Sequence, residues 1–266
     1  MRISVVFQSV CLVCLLADSP LLLAAEPSGW FVRLGVFNPK VSTNIRLDAL
    51  NGQLGTNLHL ESDLDLPERR TVPQGALGYR FTPRSSLEFG YFDLRRNGSR
   101  AIDEDISYGG ETYIINTVVS TFSDIRTEFI QYRYVFLDRD AWALSAIAGL
   151  HVTYFTLGLS DSSMGVSKSA EARAPSPLVG VQASYDLWNW RLQATAEYFK
   201  MTVNGLHGYL SNYAVSVSHR LPADLSVELG YQRDVLSVTA ERRSFTGTAR
   251  LAYQGPFLAL CYRCMQ

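Results

Sequence analysis

From about residue 30 onward, apolar and polar positions alternate along the chain with a period of two. In "WALSAIAGLHVTY", Trp142, Leu144, Ala146, Ala148, Leu150, Val152 and Tyr154 share one face, while Ser145, Gly149, His151 and Thr153 take most of the other. "WRLQATAEYFK" sets Trp190, Leu192, Ala194, Ala196 and Tyr198 against Arg191, Gln193, Thr195 and Glu197. In "LSVELGYQRD", Leu225, Val227, Leu229 and Tyr231 oppose Ser226, Glu228, Gly230 and Gln232. Successive strand side chains point to opposite faces, so each segment predicts a strand with one oily and one polar face.

Alternation alone also suits a soluble antiparallel sheet; length and chemistry separate the two. Several segments run about 13–20 residues, whereas globular strands are usually five or six and a tilted strand crosses hydrocarbon in roughly 9–11. Aromatics mark the oily faces near strand ends, at Trp30, Tyr79, Trp142, Trp190, Tyr213 and Tyr262, as in the girdles of membrane barrels. The phase slips at Asp93-Leu94, Phe129-Ile130 and Asp234-Leu236, an effect bulges produce. Short links at 82–85, 137–140, 186–189 and 221–224 alternate with longer ones near 48–57, 97–118, 160–174 and 203–208, and with a short "AERR" at 240–243. The pattern predicts an all-β, antiparallel up-and-down transmembrane barrel. About ten strands are expected, near 30–47, 57–82 (interrupted), 85–97, 118–137, 140–160, 173–188, 190–203, 207–221, 223–240 and 243–263. Eight or twelve stay open, and "YQGP" at 253–256 is either a bulge or an extra turn.

Composition supports this class. Only 18% of residues are charged and 47% are apolar, with a mean hydropathy of +0.02, between soluble proteins and helical membrane bundles. The net charge of −1 gives no sign of the basic face that nucleic acid requires. "MRISVVFQSVCLVCLLADSPLLLAAEPSG" reads as a secretory signal peptide cleaved near residue 25, leaving a barrel domain over 26–266. An uncleaved anchor and a lipoprotein at Cys14 are the alternatives.

The leader, the meander of long strands and the aromatic-rich last strand resemble small outer-membrane β-barrels of Gram-negative bacteria. "LGTNLHLESDLDL", "LGYRFTPRSSLEFGYFDLRRNGS", "QYRYVFL" and "AGLHVTYF" are similar to stretches of a poorly characterised proteobacterial barrel family. The resemblance implies an outer-membrane location and contact with lipid and lipopolysaccharide. It also implies insertion by the barrel-assembly machinery, which reads a terminal aromatic residue; here Arg263, Cys264, Met265 and Gln266 follow Tyr262.

Candidate chemistry is sparse. Arg33, Arg80, Glu88, Arg126, Glu128, Arg191, Glu197, Glu228 and Arg250 fall on polar faces. In a barrel of about ten strands they are expected to converge on the lumen, either as a mutually neutralising network or as the lining of a narrow channel. The histidines (His59, His151, His207 and His219) form no recognisable triad pattern, and no Gly-x-Ser-x-Gly or His-Glu-x-x-His motif occurs. "ESDLDLPE" and "AIDEDISYGGE" are acidic loops that read as solvated rather than calcium-binding. The expectation is a monomeric structural or envelope barrel without metal or cofactor. A narrow solute channel, a rim-located lipid hydrolase and a soluble lipocalin-like barrel are the alternatives. Of the CxxC pairs, Cys11 and Cys14 leave with the leader. Cys261 and Cys264, three apart on an extended strand, sit too far apart for a bridge unless the strand ends before Cys264.

Overall fold

A computed structural model describes residues 28–48, 55–108, 110–161, 165–203, 206–242 and 245–265. The predicted leader lies outside the described residues. The chain runs β1 (Gly29–Phe37), β2 (Lys40–Leu47), β3 (Leu58–His59), α1 (Leu60–Asp63), β4 (Val72–Thr82), β5 (Ser85–Ala101), β6 (Ile106–Tyr108), β7 (Glu111–Tyr113), β8 (Val118–Asp138), β9 (Trp142–Asp161), β10 (Val166–Leu187), β11 (Trp190–Val203), β12 (Leu206–Arg220), β13 (Leu225–Arg242) and β14 (Phe245–Tyr262).

Every wall neighbour is antiparallel, and β1 pairs with β14 to close the sheet on itself. β1 pairs with the lower part of β14 (Val32↔Tyr262 to Phe37↔Phe257), and β2 with its upper part (Lys40↔Gln254 to Leu47↔Gly247). They therefore share one wall position, interrupted at Asn38-Pro39, where proline has no N–H to give the ladder. With β3 a two-residue addition to β2, the wall has ten positions. "YQGP" lies within β14, so ten is kept. The start of β1, the end of β14 and the four short links (β4–β5, β8–β9, β10–β11, β12–β13) lie at one end, which is periplasmic in outer-membrane barrels.

Near that end the barrel is apolar outside and polar inside. Leu34, Leu77, Phe89, Ile130, Val181, Leu192, Val215, Leu229 and Leu260 are exposed on the outer face, a lipid-facing belt that a soluble lipocalin-like barrel would not carry. Trp30, Tyr79 and Phe81 make an edge-to-face row with ring centroids 5.1 Å apart at each step. Tyr91, Tyr198, Tyr213 and Tyr231, all exposed, ring the belt's other border.

Above that border the two faces exchange chemistry. On β5 the outward series Leu87, Phe89, Tyr91 continues as Asp93 and Arg95, while the inward series runs from Glu88 to Phe92 and Leu94. On β8, Tyr134, Tyr132 and Ile130 give way outside to Glu128, Arg126 and Asp124, and Arg133 and Gln131 give way inside to Thr127 and Ile125. On β13, Arg233 follows Tyr231 outside and Leu236 follows Asp234 inside. The ladders are continuous through these points; among the described residues, register shifts occur only at Arg80/Thr82 and Val135/Leu137, beside short turns. The three slips expected to be bulges are therefore places where an unbroken strand leaves the membrane. The upper half is built like a water-soluble barrel, with an apolar interior and a charged exterior.

Two seams are incomplete among the described residues: above Phe92, β5 pairs only with β8, and the other lies between β10 and β11. β10 pairs with β9 from Val166↔Asp161 to Tyr185↔Trp142 but with β11 only from Val179↔Tyr198 to Leu187↔Trp190. Above that level β11 pairs only with β12. Pro175 and Pro177 stand on the unpaired part of β10. They sit opposite Val152 and Leu150 in the β9 ladder, so their missing N–H positions are the ones directed at β11.

Candidate functional site

The lower lumen holds the charged layer. Arg33 (β1) reaches Glu88 (β5) at 3.7 Å and Glu228 (β13) at 3.4 Å, and Arg133 (β8) approaches the other Glu88 oxygen at 3.9 Å. The Glu88 and Glu228 side chains are 6% and 8% exposed, Arg33 29%. Gln131 Nε2 donates to Glu197 Oε1 at 2.6 Å and meets the His151 ring at 3.1 Å, and His151 stacks on Phe129. Asp234 accepts from Asn212 (2.5 Å) and Gln232 (3.3 Å). Toward the periplasmic mouth, Arg191 grips Asp186 through two hydrogen bonds of 2.6 and 2.8 Å, while Arg80 lies over the Phe31 ring. Cavities of about 150 Å³ within this layer and about 310 Å³ at the mouth leave little open bore.

Of the nine charges predicted to share the lumen, the structure places Arg33, Arg80, Glu88, Arg191, Glu197 and Glu228 inside. Arg126, Glu128 and Arg250 are corrected to the outer face. All three lie in the upper half, where the polar side of each strand is the external one. Arg126 pairs with Glu128 at 3.6 Å and covers the Tyr154 ring at 4.4 Å. Arg133, Asp186 and Asp234 belong to the lumen set as well; "QYRYVF" carried that signal, with Gln131 and Arg133 alternating against exposed tyrosines.

A middle layer of Phe37, Val72, Phe92, Ile125, Leu178, Leu210, Leu236 and Tyr253 fills the bore above the charges. Above it the long loops fold inward. Leu58, Leu60, Leu64 and Leu66 from the first, with Ile102, Ile106, Tyr108 and Tyr113 from the second, pack with Val119, Leu157 and Leu159. The plug is pinned by ions: fully buried Arg96 holds Glu61 at 2.5 Å and Thr43 Oγ1 at 2.9 Å, and the Thr43 N–H donates to Glu61 at 2.8 Å. The Tyr113 hydroxyl donates to the Leu159 carbonyl at 3.0 Å, and burial pushes its phenol up to about 12. "ESDLDLPE" thus spends Glu61 on Arg96, while Asp63 accepts the His59 N–H and the Ser62 hydroxyl. No metal-binding cluster occurs among the described residues.

The histidines are scattered. His59 is exposed on β3, His151 sits in the lower lumen, His207 faces Thr202 at 3.4 Å in the upper half, and His219 packs on Trp190 at the periplasmic rim. Cys261 and Cys264 are joined. β14 ends at Tyr262, Arg263 adopts φ 60°, and the reversal brings the two Cα atoms to 5.8 Å. The expectation of two separated thiols is corrected because extended geometry does not continue past Tyr262.

No protein-family model matches this chain, and no characterised protein is detectably similar to it in sequence. Among solved structures it is similar to the outer-membrane protease OmpT from Escherichia coli, with a TM-score of 0.58, 12% identity, and coverage of 91% of this chain and 98% of that one. Weaker likenesses include Ail, the attachment invasion locus protein of Yersinia pestis (TM-score 0.38, 8% identity, 86% and 98% covered), and the toluene transporter TbuX of Ralstonia pickettii (TM-score 0.38, 11% identity, 90% of each). At these identities the likeness is one of fold: an outer-membrane β-barrel.

Proposed function

We propose that this chain is a non-conducting barrel of the Gram-negative outer membrane, with a sealed lower half serving as anchor and an extracellular half as the working surface. The observation that supports this reading is the filling of the lumen in series, by the Arg33–Glu88–Glu228–Arg133 layer, the apolar layer around Phe92 and Leu236, and the ion-pinned loop plug. Unpaired charge is costly in such a confined bore, so the pairing closes the path rather than lining it. Outside, Arg95, Arg126, Arg173, Lys200 and Arg233 form a collar just above the belt, interleaved with Asp93, Asp124, Glu128 and Glu171; in this reading its unpaired cations face the anionic groups of lipopolysaccharide, with the protein as a monomer. The test is single-channel recording in planar bilayers with the full mature protein. Insertion without conductance steps is expected, and regular steps from the wild-type barrel would overturn the reading in favour of a narrow channel.

A further inference from the structure

The incomplete β10–β11 seam opens onto a cavity. Above the sealed lower lumen, a cavity of about 300 Å³ is lined chiefly by Phe155, Ala174, Phe199, Met201, Leu236 and Val238. That volume and this mostly apolar lining fall within the ordinary range for ligand pockets, roughly 300–1,000 Å³. Its lining includes both faces of the free β10 edge, inward Ala172, Ala174 and Ser176 and outward Glu171, Arg173 and Pro175. A cavity that wraps around a strand edge opens through the wall there.

The height of the opening is informative. Its base is the Val179–Tyr198 pair, and both residues belong to the exposed apolar belt. Immediately above, Lys200 on β11 and Arg173 on β10 stand outside, with Arg173 over the Tyr154 ring at 5.2 Å beside Arg126 at 4.4 Å. Glu171 lies on the same edge, and Asp124 and Glu128 flank Arg126. Hydrocarbon from the outer leaflet therefore meets an apolar chamber across a gap that carries one cation on each strand edge, Arg173 and Lys200. The two prolines hold the seam open, since closing it would require N–H donors that Pro175 and Pro177 lack.

We propose that this lateral opening admits one hydrocarbon chain of an anionic membrane amphiphile. The chain occupies the upper cavity while the anionic head group stays outside at Arg173 and Lys200. This goes beyond the sealed-anchor reading and does not depend on it: a conducting barrel would refute that reading and leave this site untouched.

The experiment uses the full mature protein in nanodiscs of dimyristoyl phosphatidylcholine, with a diazirine-bearing palmitic acid in one arm and a phosphatidylglycerol carrying the same chain in the other. After irradiation, labelled residues are mapped by mass spectrometry. Labelling of Ala174, Phe199 or Leu236 is expected, alongside belt residues such as Val181 and Leu192, which report that the probe reached the bilayer. Cavity labelling by the acid alone identifies a free fatty acid, and by the lipid alone a glycerolipid. Ala174→Phe should lower cavity labelling at least tenfold and leave belt labelling unchanged. Val238→Trp fills the cavity from the opposite side and serves if the first variant loses heat-modifiable migration. Label confined to the belt in both arms, or cavity label unaltered in a folded filling variant, overturns the proposal.

Discussion

Replacing Arg33 with methionine removes the cation shared by Glu88 and Glu228 and leaves two nearly buried carboxylates facing one arginine, Arg133. The four groups divide into two pairs, Arg33 with Glu228 and Arg133 with Glu88. At an effective dielectric constant near 20, a 3.4 Å contact contributes about 5 kcal/mol before desolvation. Arg33 is 29% exposed toward the mouth cavity, so water screens it, and the net cost of Arg33→Met should fall to about 3 kcal/mol, the low end for breaking a buried pair. Glu228→Gln alone should cost about 2–3 kcal/mol for the converse reason, an arginine left with less anion. Together they remove one whole pair and leave Arg133–Glu88 neutral, so the double variant should lose only about 1–2 kcal/mol. The assay is equilibrium urea unfolding of the barrel in lipid vesicles, followed by tryptophan fluorescence and checked by heat-modifiable migration. A coupling of at least 2 kcal/mol is expected. Distant, independent sites add within about 0.5 kcal/mol, and additivity on that scale would refute the reasoning that these charges exist to neutralise one another.

The outer-face charges should behave differently. Arg126→Ala and Arg250→Ala are expected to leave the unfolding free energy within about 0.5 kcal/mol of wild type, the usual range for surface substitutions, by the same urea assay. Arg96→Ala should loosen the loop plug, because Glu61 would remain inside without its cation. At about 3 kcal/mol, tryptic cleavage at Arg69 or Arg70 should rise roughly a hundredfold, provided opening equilibrates faster than cutting, while the barrel band persists on gels. The native folded protein should take up no maleimide at Cys261 or Cys264 until it is reduced, and then two per chain by intact mass; uptake without reduction would contradict the terminal reversal at Arg263.

The strand plan was legible because period two and turn chemistry are local properties. The predicted strands at 190–203, 118–137 and 207–221 match β11, β8 and β12 to within about a residue. β10 starts earlier than predicted, at Val166 instead of 173, because Ser167, Ser169 and Glu171 on its outer face resemble a loop when the upper half is taken for membrane. The same assumption misplaced Arg126, Glu128 and Arg250. Polar-in holds only within lipid, and the slips at Asp93-Leu94 and Asp234-Leu236 mark where that rule reverses. Arg133 is masked in the pattern by the tyrosines that flank it, and the Arg96–Glu61 pin joins residues 35 apart, a pairing no local pattern reveals. The open seam is non-local as well, yet Pro175 and Pro177 were its visible trace: two prolines two apart in a long strand must point their missing donors at something other than a partner.

The exchange of faces also sets the draught of the molecule. Asp93, Arg126, Arg173, Lys200 and Arg233 ride just above the belt around the circumference, so sinking by one side-chain repeat would wet none of them and dip all five toward hydrocarbon. Each lysine or arginine costs up to about 1 kcal/mol near the interface and roughly 2–4 at the midplane. Rising by the same step would strand the lower tryptophans, Trp30 and Trp190, in the oily layer they border. The barrel thus floats at one waterline without tilting freely, and the slot between β10 and β11 stays at the height where tail and head group part.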